Sequence, residues 1–306
     1  MPLDISLIFH LRKIIEEKKV QIIHTHQSVD AIHAHFSINR KEVKHVMNFH
    51  GYTPNKKNDF VRRFLIPKVD ANIVTSNSFL ERLRSEGKFK INENCYVLYN
   101  GVDIKKFIYP KTDFRNDYNI SEKTFLLGSV GNFRCEKDQL TICKALPKIF
   151  NTIPNLKFVF VGGPINRDYK YFNLCKMYCT QNNLNEKVIF MDKVVDISPI
   201  LNQINLFISS SVKESFGIAA VEAMMIGIPC ILSDIPPHLE ISLNGNYASI
   251  FKSKNENDLA EKVIDLVMDP RKRDNFGVEG RHWAVKNFSI ENYIQRLKEL
   301  YSKLIA

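Results

Sequence analysis

The chain has 306 residues, 44% hydrophobic and 25% charged, a composition that suits one large or two ordinary globular domains. Its formal net charge of +10 admits phosphate-bearing ligands, nucleic acid or an anionic membrane as partners without choosing among them. Six scattered cysteines with no CxxC pair argue against a disulfide framework and predict reduced thiols in the cytoplasm.

The chain opens on a helical pattern, "DISLIFHLRKIIEEKK", that turns charged too early for an export signal. No strand and no glycine-rich turn comes before it, so the first domain is expected to lack its opening βαβ portion. Strand-like runs follow at 20–26, 44–51, 71–77 and 95–102, then at 124–133, 156–163, 187–194, 205–211 and 229–234. Several are continuous apolar runs, as in strands buried on both faces of a parallel sheet. Helical patterns lie between them, for example at 137–151, 168–184, 216–227 and 257–268. This alternation predicts an α/β chain of doubly wound parallel sheets.

A polar stretch with a turn-forming Asn100-Gly101 sets the boundary, giving an incomplete first domain over 1–107 and a second over 108–287. A final helix over 289–306 begins at a serine cap and is expected to complete the first domain. The longest apolar stretch, 216–232, is broken by Glu222, Gly227 and Pro229, and is too short to span a bilayer.

The chemistry concentrates in "SVKESFGIAAVEAMMIGIPC", 211–230, where Glu214 and Glu222 are separated by seven residues. Glu222 sits in an otherwise apolar run, where an unpartnered charge is costly. The strand at 205–211 should end at the sheet edge where open α/β sheets bind ligands. A helix starting near Phe216-Gly217 would turn its N–H groups and positive end to the same edge, as an anion site. Glu222, about one and a half turns in, would reach a ribose diol, while Glu214 would reach sugar hydroxyls. One ligand meets all three demands, a nucleotide diphosphate sugar. The plainer reading leaves Glu214 as a helix-start carboxylate and Glu222 as a half-exposed helix residue. A second cluster, "SVGNFRCEKDQ" at 129–139, puts Arg134 and Lys137 at the same edge, either as diphosphate contacts or as surface charges.

Taken together, "GNFRCEKD", "KESFGIAAVEAM" and "YNGVD" resemble the GT-B glycosyltransferases of family 4, and the resemblance runs over nearly the whole chain. It implies two facing Rossmann-like domains, with the donor in the C-terminal one, the acceptor mainly in the N-terminal one, and a last helix that crosses back. It implies retaining transfer from a UDP- or GDP-sugar, with no further cofactor, to a glycan or lipid-linked acceptor in surface polysaccharide synthesis. Donor contacts would come from Gly131, Asn132, Arg134 and Lys137, and from Glu214, Ser215, Phe216, Gly217, Ile218 and Glu222. "NFHGY" resembles the family's N-domain histidine element, so His50 would project toward the transferred sugar; His50, Glu214, Lys137 and Arg134 are then the catalytic set. Many members carry an arginine five residues before the lysine; here that position is Asn132, and Arg134 stands three before Lys137. The rival reading is a shortened, non-catalytic protein that binds nucleotide sugar without transfer.

Two H-x-H pairs, His24/His26 and His33/His35, raise a zinc reading that lacks a third ligand type, so no metal is expected. The basic and aromatic stretch 55–68 suits either an anionic leaflet on the inner membrane face or a core-packing helix with a wet basic side. Nucleic acid is not expected as a partner, because charge is the only feature in its favour.

Overall fold

A computed structural model describes residues 3–51, 56–86, 94–107, 114–165 and 168–306, the side chains of Lys56 and Lys57 excepted. Part of the basic stretch 55–68 and part of the expected linker, 108–113, therefore lie outside the described residues. The described chain forms two compact units, Met1–Gly101 with Glu291–Ala306, and Val102–Ile290.

In the first unit, helix α1 (Ile5–Glu17) starts where the Asp4 carboxylate accepts from the Leu7 N–H. Strands β1 (Ile22–Thr25), β2 (Lys44–Phe49), β3 (Ala71–Val74) and β4 (Cys95–Val97) pair in parallel, in chain order. Helices α2 (Ser28–Ser37), α3 (Lys56–Leu65) and α4 (Asn77–Ser85) connect them. Neighbouring side chains on β2 serve opposite faces, as a strand's period of two requires. Met47 and Phe49 pack with Leu65, Phe79 and Leu83, while Val46 packs with Ala71, Ile73, Leu98 and Leu300. Leu300 belongs to the last helix, α13 (Ile290–Ile305), which begins one residue after the expected serine because Ser289 is extended and bridges Val102. His33 and His35 sit on α2, so they point to different sides of a helix and are not aligned along a strand.

The second unit begins with the bridge of Val102 to Ser289 and a 3-10 turn, Ile104–Phe107, whose last carbonyl accepts from the Asn202 amide. These contacts place 102–107 with the second unit, six residues ahead of the boundary read from polarity alone. A short helix α5 (Phe114–Asp117) leads into β5 (Phe125–Val130), α6 (Gln139–Thr152), β6 (Leu156–Val161), α7 (Tyr169–Gln181) and β7 (Val188–Met191). The chain continues through α8 (Ser198–Leu201), β8 (Leu206–Ser209), α9 (Ile218–Met225), β9 (Cys230–Ser233), α10 (Pro236–Ile241) and β10 (Ser249–Phe251). Helices α11 (Glu256–Met268) and α12 (Pro270–Phe288) close the unit.

Strand order is β10-β9-β8-β5-β6-β7, all parallel, the Rossmann order in which the chain turns back at β5 and builds outward again from β8. Strand β6, "LKFVFV", is buried at five of its six positions, so its apolar run serves both faces of the sheet. Phe133, Phe158, Phe160, Phe172 and Phe190 form a continuous aromatic cluster at one end of this core. The cysteines are free thiols, with Cys143, Cys175, Cys179 and Cys230 buried. Among the described residues no helix is long and apolar enough to cross a membrane.

Candidate active site

Strands β5 and β8 lie side by side where the strand order reverses, and the crevice beyond their C-terminal ends is the ligand position in open α/β sheets. Two loops leave these ends, 131–138 after β5 and 210–217 after β8. They are bound to each other. The Val212 N–H donates to the Glu136 carbonyl at 2.9 Å, and the Ser210 hydroxyl reaches the carbonyls of Lys137 (3.1 Å) and Asp138 (2.9 Å). On the other side, the Gly131 N–H donates to the Val161 carbonyl at 2.9 Å. Gly162 lets the chain pass there, since a Cβ on it would stand 2.5 Å from the Gly131 carbonyl oxygen.

This framework brings Lys137 and Glu214 into a direct ion pair. The Ser211 hydroxyl also donates to the Glu214 carboxylate, at 2.9 Å. The spacing places both side chains at one edge of the sheet, and there they pair with each other. Arg134, half exposed, lies 3.6 Å from Glu136 and 3.8 Å from Asp168. The Asn132 carbonyl accepts from the Gln139 side-chain amide at 3.0 Å, which leaves the Asn132 position structural on its backbone side.

Helix α9 starts at Ile218, two residues later than its apolar pattern suggests. Gly217 is its N-cap at φ 101°, a left-handed conformation that glycine adopts without a Cβ penalty. No side chain caps the helix at Gly217. The Ala220 N–H already donates to the Gly217 carbonyl at 3.1 Å, and the N–H groups of Ile218 and Ala219, ahead of the helical hydrogen-bond ladder, are the ones able to meet an anion. Phe216 is buried edge-on against the Phe288 ring at 5.5 Å, so its side chain is core and only its backbone is available to a ligand. Ile218 is exposed and Ser215 half-buried.

Glu222 is half-buried on α9, with no hydrogen bond to its carboxylate from any described residue. Burial raises its pKa to about 7, opposed in part by the charge of Lys106. Among the described residues, the carboxylate in the apolar run thus has no hydrogen-bond partner, only the more distant charge of Lys106.

Sequence reasoning missed His238. It is fully buried under this loop, with its ring 3.4 Å from where a Cβ on Gly217 would stand. Its Nδ1 lies 2.9 Å from the Ser233 hydroxyl, and its Nε2 lies 3.3 Å from the Ser209 hydroxyl. Ser233 in turn donates to the Ser211 carbonyl at 2.6 Å, so the ring supports the segment that holds Glu214. Burial lowers the His238 pKa to about 4, keeping the ring neutral. The only trace in the sequence was the serine-rich run before Glu214.

His50 belongs to the first unit, just beyond β2. Its Nε2 lies 2.8 Å from Nδ1 of His26, the two rings stacked at 5.1 Å. Burial and then the neighbouring His26 hold its pKa below the usual histidine range. His26 stacks on His24 at 4.5 Å, and His24 Nδ1 meets the Tyr301 hydroxyl at 2.6 Å. Among the described residues no group of three or more His, Cys, Asp or Glu side chains could hold a metal ion.

The profile of "Glycosyl transferases group 1" matches residues 110–283, and that of "Glycosyltransferase Family 4" matches 1–106. The chain is 24% identical to the N-acetyl-alpha-D-glucosaminyl L-malate synthase of Bacillus anthracis, covering 98% of this chain and 79% of that protein. It is 26% identical to the UDP-Gal:alpha-D-GlcNAc-diphosphoundecaprenol alpha-1,3-galactosyltransferase of Escherichia coli, covering 99% and 80%. Anabaena HepE, solved in complex with UDP and glucose, superposes with a TM-score of 0.83 at 18% identity, over 95% of this chain and 80% of that one. These matches, with two parallel-sheet α/β units, show that the chain belongs to the GT-B glycosyltransferases of family 4, the group 1 glycosyl transferases.

Proposed function

We propose that the chain transfers a sugar from a UDP- or GDP-sugar to a glycan or lipid-linked acceptor, with retention at the anomeric carbon. The observation that carries this reading is Glu222, a half-buried carboxylate that no described residue hydrogen-bonds, in the helix that starts at the switch point. When ionised it offers acceptors only, which suits the vicinal hydroxyls of ribose. The open first turn of α9 supplies N–H donors for the diphosphate, and Lys137 supplies a cation beside it.

In this scheme the bond from the anomeric carbon to the β-phosphate oxygen breaks. A bond from the acceptor oxygen forms on the same face. The acceptor's proton passes to the departing phosphate oxygen. Lys137, released in part from Glu214, meets the charge that grows on the diphosphate. Glu214, steadied by Ser211, receives the sugar hydroxyls. His50 is assigned to orient the sugar, without acting as a nucleophile. HepE carries UDP and glucose in its solved complex, and the Escherichia coli relative is named for a UDP-galactose donor and a diphosphoundecaprenol-linked acceptor; both favour this choice of substrates.

A thermal-shift panel of UDP- and GDP-sugars tests the reading, followed by anomeric NMR of product made with the donor that binds. An upward shift for at least one donor, with its anomeric configuration kept in the product, is the expected result. No shift with any nucleotide sugar, or an inverted product, would contradict it.

A further inference from the structure

The H-x-H pair of His24 and His26 is a motif that the transfer scheme leaves unused. Both residues belong to a row of four rings in the first unit. Strand β1 ends at Thr25, and the strand period of two sends His24 and His26 to the same side. Their rings stack with centres 4.5 Å apart and planes 25° apart. At one end of the row, His24 Nδ1 lies 2.6 Å from the hydroxyl of Tyr301, which α13 packs against the sheet. At the other end, His26 Nδ1 lies 2.8 Å from Nε2 of His50, just beyond β2. Those two rings are 17° from parallel with centres 5.1 Å apart. The offset lets the bond run along the ring planes, the direction in which a ring nitrogen donates and accepts.

The protonation of the row is constrained. Burial first, then the neighbouring His26 and His50, lower the His24 pKa to about 4, so this ring is neutral at pH 7. Burial raises the pKa of Tyr301, which therefore keeps its proton. His24 is thus an uncharged plate, tied to the last helix, for His26 to stack on. Only one proton fits between His26 Nδ1 and His50 Nε2. With both rings neutral, the ring that donates it leaves its other nitrogen bare, and the ring that accepts it carries a proton on its far side. Each tautomer of His26 therefore dictates one tautomer of His50.

His26 and His50 line a cavity of about 240 Å³ together with Asn48. Asn48 is only 5% exposed, and its Oδ1 has no hydrogen-bond partner among the described residues. A ring held at this wall presents one defined donor or acceptor to what enters, whereas an untethered ring samples several rotamers.

We propose that His26 is a positioning residue for His50: stacked on His24, and anchored through it to Tyr301, it fixes the orientation and the tautomer of the His50 ring. That the fixed ring then serves the transferred sugar rests on the transferase reading above; the coupling of the rings does not.

Long-range proton–nitrogen NMR of the full chain with labelled histidine reads the tautomer of each ring at pH 8, above the usual histidine range. His50→Gln assigns the His50 signals. His26→Ala is compared with His26→Asn, whose amide comes close to the position of Nδ1. In wild type His50 should show a single tautomer. His26→Ala should move its nitrogen shifts toward those of a mixed, mobile imidazole, and His26→Asn should restore them in large part. Tyr301→Phe, which keeps the ring and removes the hydroxyl, should move His24 most and His50 least. With donor and acceptor in hand, His26→Ala should lower kcat by roughly tenfold at nearly unchanged donor KM, and His26→Asn should recover most of it. Mixed tautomers of His50 in wild type, the same His50 shifts in wild type and His26→Ala, or no restoration by His26→Asn would overturn the proposal. The NMR comparison needs no turnover, so it decides the coupling even where the transferase reading fails. Displaced His50 shifts at unchanged kcat would remove His50 from the reaction and leave its coupling to His26 standing.

Discussion

The chain ends both of its parallel sheets in polar loops, and the two ends solve the burial of polar groups differently. In the second unit Lys137 and Glu214 neutralise each other, and serines tie the loops together. In the first unit the side-chain oxygen of Asn48 has no hydrogen-bond partner among the described residues, near two histidines that share one hydrogen bond. The second unit also holds its own exception in Glu222, whose carboxylate no described residue hydrogen-bonds. The difference teaches where a ligand must act. At a paired site it has to exchange with an existing partner, which tunes chemistry. At an unpaired site it relieves a penalty, which favours binding.

That contrast can be broken most sharply at the paired site. Lys137→Ala should lower kcat by about 10²–10³, with a smaller change in KM, because the charge it meets grows in the transition state. Steady-state kinetics with the donor found in the panel measures both. A rise in KM at unchanged kcat would make Lys137 a uniform binding contact.

Glu222→Gln addresses the unpaired group. Nucleotide affinity should fall by about 1.5–3 kcal/mol, since the ionised acceptor is gone. The same change should stabilise the empty protein at pH 8. The folded pKa of Glu222 is raised, from 4.5 to about 7, so its contribution to stability is fully present below pH 4.5 and is lost as pH rises through 7. Denaturant unfolding of both forms at pH 5 and pH 8 checks this. The variant should gain at pH 8 by about 1–2 kcal/mol, discounted for partial exposure, and gain little at pH 5. Equal stability at pH 8 would mean that the carboxylate is not held against its solvation.

Gly217→Ala probes the scaffold that separates the two kinds of site. At φ 101° an alanine is strained, and its Cβ would stand 3.4 Å from the His238 ring. A loss of about 1–2 kcal/mol in thermal or denaturant unfolding is expected. An unchanged unfolding midpoint would show that the loop can reshape without cost.

Much of the second unit was legible in the sequence because its strands are long apolar runs and its helices amphipathic. Strand β10 was not, since it is three residues long and lies in the polar surroundings of "NGNYASIF". The start of α9 was placed two residues early, because an apolar pattern shows a buried face and not the residue whose backbone turns left-handed. Glu222 could be singled out by its setting, a carboxylate in an apolar run. The Lys137–Glu214 pair could not, because its partners are 77 residues apart and meet only through the adjacency of β5 and β8. His50 came from resemblance alone, and Asn48 and His238 carried no local pattern. Their meaning lies in what surrounds them after folding.

The central claim, that Glu222 receives the donor's ribose as a carboxylate, is tested most directly by calorimetry of UDP and GDP binding at pH 6 and pH 8. Wild type and Glu222→Gln are compared at both. Because ionisation near pH 7 is required, wild-type affinity for the matching nucleotide should rise by roughly tenfold between pH 6 and pH 8, as for a single group crossing its pKa. The variant should bind more weakly than wild type at pH 8, and with much less change across that range. Equal affinity of the two proteins at pH 8, or the same pH dependence in both, would contradict the account.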